Sequence, residues 1–166
     1  MPPALTTRPA HDSDRDALIE LIGSAYAEYP GCVLDVEREE PDLLGIASAY
    51  ARYQGEFWVT IDAIAGALVA SAGYLPSPAP EYRGWLQLRK LYVARSHRRQ
   101  GLASALLARV EQSARQRHAP GVELWSDTRF SDAHVFYARH GYVQLPQTRE
   151  LFDLSQSVEY HFEKQL

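Results

Sequence analysis

Apolar positions along this chain change their spacing several times, and each change predicts an element. "ALTTRPA" (4–10) reads as a short first strand. In "HDSDRDALIELIGSAYAEYPG", Leu18, Ile19, Ile22, Ala25 and Tyr26 recur at helical spacing, with Asp12 or Ser13 as cap and Pro30-Gly31 as stop. Residues 32–55 start acidic and end in "PDLLGIASAYARY", a second short helix. "EFWVTIDAIAGALVASAGYLP" predicts a hairpin, with strands 57–61 and 67–75 around a turn at Asp62–Gly66. A Pro-rich loop leads into strand 86–93, where Leu86, Leu88 and Lys90 share one face and Gln87, Arg89 and Leu91 the other. Leu102, Leu106, Val110 and Ala114 step through a helix over 101–118 that Pro120-Gly121 ends. "VELWSDT" is a further strand, and "SDAHVFYARHG" a short helix closed by Gly141. "YVQL" and "SVEYHFEKQL" make a final antiparallel pair. The order β-α-α-β-β-β-α-β-α-β-β predicts a layered α/β (α+β) domain.

The length of 166 residues suits one domain, 1–166, and 46% hydrophobic residues suffice for a core. The single cysteine, Cys32, excludes an internal disulfide and reads as a small buried or loop residue. No run approaches the roughly 18 apolar residues of a membrane span, and "MPPALTTRPAHDSD" lacks the apolar core of a signal peptide. The expectation is a soluble cytoplasmic protein with no membrane partner. A net charge of −4 speaks against nucleic acid. Charge is nevertheless segregated. Residues 82–110 contain no Asp or Glu but hold Arg83, Arg89, Lys90, Arg95, Arg98, Arg99 and Arg109. A local cationic patch on an acidic chain suits a small anionic ligand.

The patch culminates in "HRRQGLASALL" (97–107), where arginines meet a glycine at the start of a helix. The first N–H groups of a helix lack intrahelical partners, and the macrodipole adds positive charge there. Gly101 opens the backbone, Ala103 keeps the next turn small, and Arg98 and Arg99 add charged donors. Together these make a cradle for a pyrophosphate. The chain lacks the Lys-Ser/Thr of a P-loop and the three glycines of a dinucleotide fingerprint. What it has is Arg98-x-x-Gly101-x-Ala103 after "LYVA".

That segment resembles the acetyl-CoA-binding motif of the GCN5-related N-acetyltransferase (GNAT) family, Gln/Arg-x-x-Gly-x-Gly/Ala. A second family pattern follows in order: Ala133, Tyr137, Gly141 and Tyr142 match Ala-x-x-x-Tyr-x-x-x-Gly-Phe/Tyr. The match covers 85–143; residues 1–84 fit the element order without a motif.

The resemblance implies a mixed, mostly antiparallel central sheet, with a V-shaped splay between the fourth and fifth strands and helices on its flanks. It implies acetyl-CoA as cosubstrate and direct acetyl transfer to a primary amine on a small molecule or a peptide. The N–H groups of Gln100, Gly101, Leu102, Ala103 and Ser104, with Arg98 and Arg99, would hold the pyrophosphate. Backbone near Leu91 and Val93 would pair with the pantetheine arm, and the Leu91 N–H would stabilise negative charge on the thioester oxygen. Tyr137 would protonate the departing thiolate. A homodimer is compatible with the family. An alternative within the same fold is a CoA-binding regulatory module with weak or absent catalysis.

Two positions depart from the family pattern. Gln87 stands where many relatives carry a basic Glu, and Phe130 where many carry Asn. Asp127, Glu81, Glu56 and His134 are alternative bases, as is a chain of water. No spacing among the histidines suggests a metal site, and His97, His118 and His140 read as exposed. Trp58, Trp85 and Trp125 read as packing residues on strands. The acids Asp35 to Asp42 read as a solvated loop.

Overall fold

The computed structural model describes residues 4–166. Strands are β1 (Leu5–Pro9), β2 (Glu56–Asp62), β3 (Ala67–Pro76), β4 (Leu86–Val93), β5 (Gly121–Asp127), β6 (Val143–Glu150) and β7 (Val158–Gln165). Helices are α1 (Arg15–Tyr26), α2 (Ile46–Arg52), α3 (Leu102–Gln116) and α4 (Ser131–Arg139). The strands form one sheet in the order β1-β2-β3-β4-β5-β7-β6. Every neighbouring pair is antiparallel except β4–β5. The predicted order of elements holds throughout.

Alternation along the strands feeds two cores. Phe57 and Val59 pack with Leu18 and Ile22 of α1 and with Ile46 and Tyr50 of α2. Trp58, between them, points to the other face, where Ala70, Ala72 and Tyr74 meet Leu106, Leu107, Val110 and Ala114 of α3. Each helix buries its apolar stripe on one side of the sheet, so both faces are covered.

Two expectations change. Asp12 does not cap α1; its carboxylate accepts the N–H of Ser48 at 2.9 Å and the Ser48 hydroxyl, so it satisfies the first turn of α2 instead. Asp14 secures the entry to α1, accepting the His11 N–H at 2.8 Å and a two-pronged pair from Arg8. Strand β4 does not alternate to its end. Its register with β3 runs from Gly73↔Arg89 to Ser71↔Tyr92, so Lys90 and Leu91 both stand opposite Ala72 in a bulge. Lys90 takes φ +53° there, and its carbonyl accepts the Ser71 hydroxyl at 2.8 Å.

Among the described residues, no helix is long and apolar enough to cross a membrane. No group of His, Cys, Asp and Glu among them is arranged to hold a metal ion.

Candidate active site

The parallel β4–β5 ladder lasts for only two rungs, Leu86↔Val122 and Gln87↔Glu123. Beyond them the strands part, and a cavity of about 340 Å³ opens between Leu88–Tyr92 and Leu124–Asp127. The same space is lined by Tyr137 and Ala133 of α4, by Tyr26 of α1, by the 32–40 loop and by residues 151–159. The bulge thus turns Lys90 and Leu91 toward an opening that the sheet cannot close.

The cationic turn sits at the end of β4. Arg99 and Gly101 adopt left-handed backbone, at φ +61° and +80°. A Cβ on Gly101 would meet no atom within 4 Å, so the surface over it is open. The first backbone donor of α3 with a protein acceptor is Ala105, to the Gly101 carbonyl at 2.9 Å. Among the described residues the N–H groups of Gln100, Gly101, Leu102, Ala103 and Ser104 have no protein acceptor. Five convergent donors at a helix N-terminus make a strong anion cradle.

The two arginines differ. Arg98 lies in a fork on Glu28, in the turn just after α1, at 2.7 and 2.8 Å, and its Nε donates to the Val93 carbonyl at 3.1 Å. Its charge is thus matched, and the Val93 oxygen is occupied. Arg99 is exposed and enters no ion pair among the described residues. Ser104 donates its hydroxyl to His140 Nε2 at 3.0 Å, because His140 Nδ1–H is spent on the Phe136 carbonyl at 2.8 Å. This ties the start of α3 to α4, and places His140 in a half-buried network rather than in solvent. His97 is likewise half-buried, with Nε2 3.2 Å from Asp62; His118 is exposed.

Tyr137 is 7% exposed and packs on Phe136, Tyr142 and Phe162. Its hydroxyl makes no hydrogen bond within the described protein, although the residue lines the cavity. Burial pushes that hydroxyl well above the ordinary tyrosine range, so it keeps its proton.

Gln87 is turned away from acid–base chemistry. It is buried, and its Nε2 donates to Glu123 Oε1 at 2.9 Å, while His161 Nε2 donates to the other Glu123 oxygen at 2.9 Å. The other base candidates fare differently. Burial works to raise the Asp127 carboxyl, but hydrogen bonds from Arg129 at 2.7 and 2.9 Å outweigh it and hold the group below the usual range. His134 spends its Nε2–H on the Asp127 carbonyl at 3.0 Å, burial lowers its pKa, and it does not line the cavity. Glu56 accepts from Ser113 at 2.9 Å and from Tyr74, and neither it nor Glu81 lines the cavity.

The acidic loop is not simply solvated. Glu40 and Asp42 clasp the buried Lys90 ammonium, with Asp42 at 3.1 Å, and Glu39 accepts the Leu154 N–H at 2.8 Å. The loop is thereby fastened to the bulge as one wall of the cavity. Phe130, at the start of α4, stacks against Tyr29 at 4.8 Å and lines the same wall. Trp58 packs in the core as expected. Trp85 precedes β4, and Trp125 stacks on His161 at 4.1 Å and lines the cavity. Cys32 is half-buried on the cavity wall, where burial raises its thiol pKa.

Several cavity residues escaped the sequence reading, among them Asp153, Ser155, Ser157 and, on β7, Glu159, the last opposite Asp127 in register. The signal for Glu159 was the polar alternation Glu159-x-His161-x-Glu163 in the final strand, each facing β5.

Residues 53–144, more than half of the chain, match the model of the acetyltransferase (GNAT) domain. N-acetyltransferase 8F1 of Rattus norvegicus is 31% identical over 127 residues, spanning 76% of this chain and 55% of that protein. Probable N-acetyltransferase family 8 member 5 of Mus musculus is 30% identical over 132 residues, spanning 79% of this chain and 55% of that protein. The chain therefore spans about half the length of these relatives. Among solved structures, an acetyltransferase of the GNAT family from Staphylococcus aureus Mu50 superposes with a TM-score of 0.82 at 21% identity, over 98% of this chain and 99% of that one. The yncA protein of Salmonella typhimurium, solved with its cofactor acetyl-CoA, gives 0.74 at 16% identity, over 98% and 94%. At these identities the structural likeness speaks for the fold.

Proposed function

We propose that this protein, which belongs to the GNAT family of acetyltransferases, moves an acetyl group from acetyl-CoA directly to a primary amine, acting as a single catalytic domain. The observation that carries the reading is the set of five N–H groups, Gln100 to Ser104, that have no protein acceptor among the described residues, in the turn between β4, one wall of the gap, and α3. Their number and the open surface over Gly101 fit a pyrophosphate. The space of about 340 Å³ between the strands suits an extended arm and a small acyl end.

Acetyl-CoA supplies an activated thioester. The chain's own groups do the rest. The backbone donors of Gln100, Gly101, Leu102, Ala103 and Ser104 hold the diphosphate, and Arg99 adds a free positive charge. Arg98 braces the loop through Glu28 and keeps a guanidinium nearby. The edge of β4 that faces the gap offers the backbone of Leu91 and the N–H of Val93 to the arm, while the Val93 carbonyl accepts from Arg98. The N–H of Leu91, in the bulge, stabilises negative charge that develops on the carbonyl oxygen. Tyr137 holds its proton and donates it to the leaving sulfur. Its lack of any hydrogen bond inside the described protein supports a free, donating hydroxyl over a packing role.

The acceptor is a primary amine on a small molecule or a peptide terminus or lysine. Thiol release from acetyl-CoA, measured across small amines and short peptides, tests this. Release that depends on the amine is the expected result. Tight CoA binding with no release for any amine would favour the regulatory module instead.

A further inference from the structure

The acceptor amine reaches neutral pH as an ammonium and must lose a proton before it attacks. Gln87 cannot accept one, and its amide is committed to Glu123. A base among this chain's side chains is therefore sought on the cavity wall, which Gln87 does not line.

Carboxylates line that wall from several elements, and most are committed. Asp127 is gripped by Arg129 through both oxygens. Glu40 is clasped to Lys90. Glu39 and Asp153 each accept a backbone N–H, from Leu154 at 2.8 Å and Ser157 at 2.7 Å. Glu159 differs. Its only protein hydrogen bond among the described residues is from Arg149 Nε to Oε2, at 2.6 Å. Its Oε1 is left free on a side chain that is 15% exposed. Arg149 is itself fixed, with its guanidinium 4.4 Å over the Trp125 ring. Glu159 is thus oriented by one contact and open at the other oxygen.

We propose that Glu159 is the general base that takes the proton from the acceptor's ammonium. This rests on the acetyl-transfer reading above. An N–H bond of the ammonium breaks, its electron pair stays on nitrogen, and the proton passes to Glu159 Oε1. The products are a neutral amine and a neutral carboxyl group, which returns the proton to water at the cavity mouth.

The charged surroundings suit the role. Burial raises the Glu159 carboxyl above the ordinary range. The Arg149 pair on β6 opposes this, while Asp127 on β5 and Asp153 in the β6–β7 loop reinforce it. Tyr26 of α1 faces the same carboxylate and is itself pushed up to about 12 by burial. A base whose proton affinity is raised above that of a free carboxylate is a stronger acceptor than an exposed glutamate.

The test uses the whole chain with 2-phenylethylamine as probe. In the free protein, the 13C carboxyl resonance assigned by its loss in Glu159→Gln should titrate above the ordinary glutamate range. It should also shift when the probe ammonium is added. With acetyl-CoA, E159Q should lower kcat about a hundredfold and abolish the acidic limb of the pH profile, with acetyl-CoA affinity unchanged. Glu159→Asp, which keeps a shortened carboxylate, should be intermediate and guards against a folding defect. A carboxyl that titrates normally and ignores the probe would overturn the proposal, as would an E159Q enzyme that keeps both kcat and acidic limb. If the wild-type protein binds no acetyl-CoA while the carboxyl responds as stated, the acetyl-transfer reading fails and the Glu159 assignment as ammonium partner survives.

Discussion

Gln87 donates its side-chain amide to Glu123 across the last rung that holds β4 and β5 together, at 2.9 Å. The contact lies at the root of the gap, buried beside His161 and under Tyr82. It explains the glutamine. A glutamate here would set two carboxylates against each other in a buried site. Gln87→Glu should therefore destabilise the fold by about 3 kcal/mol at neutral pH. The introduced acid would have a raised folded pKa, so the penalty should shrink as pH falls and it protonates. Thermal melting across pH measures this, and the variant should gain no activity.

Gly101 separates two effects. Its φ of +80° is costly for any residue with a Cβ, but that Cβ would meet open space. Gly101→Ala should cost about 1 kcal/mol of stability. Gly101→Glu adds bulk and negative charge over the five donors and should weaken acetyl-CoA binding at least about a hundredfold. Calorimetry and melting on both variants distinguish strain from lost binding.

Tyr137→Phe removes a hydroxyl with no hydrogen-bond partner in the described protein, so stability should change by less than about 0.5 kcal/mol. Turnover should fall about a hundredfold with acetyl-CoA affinity kept. Unchanged kcat would make Tyr137 a packing residue.

Arg8 grips Asp14 with two hydrogen bonds, 2.9 and 2.8 Å, and its hydrogen bonds hold the Asp14 carboxyl below the usual range. A depressed folded pKa means that this stability is complete above the unfolded carboxyl pKa and is lost as pH falls through the folded one. Asp14→Asn should cost about 1 kcal/mol at neutral pH and flatten the decline of melting temperature below about pH 4.

The cradle was readable because its parts are local: β4, the cationic turn and α3 are contiguous, and the residue types report the backbone directly. The helix–sheet alternation was readable for the same reason. What escaped depended on partners distant in sequence. Asp12 looked like a cap for α1 because it precedes it, yet it reaches Ser48 across the fold. Lys90 appeared to continue a simple strand, since nothing local announces a bulge or the clasp from Glu40 and Asp42. Glu159 acquires its place only through the register of β7 on β5.

The central claim is that the turn at 98–104 binds coenzyme A. Titration of the purified chain with acetyl-CoA, CoA and ATP, followed by calorimetry, tests it most directly. Kd values on the order of micromolar are expected for acetyl-CoA and CoA, with ATP far weaker because it lacks the arm proposed to fill the β4–β5 gap. A folded protein that gives no binding heat with either CoA form would contradict it.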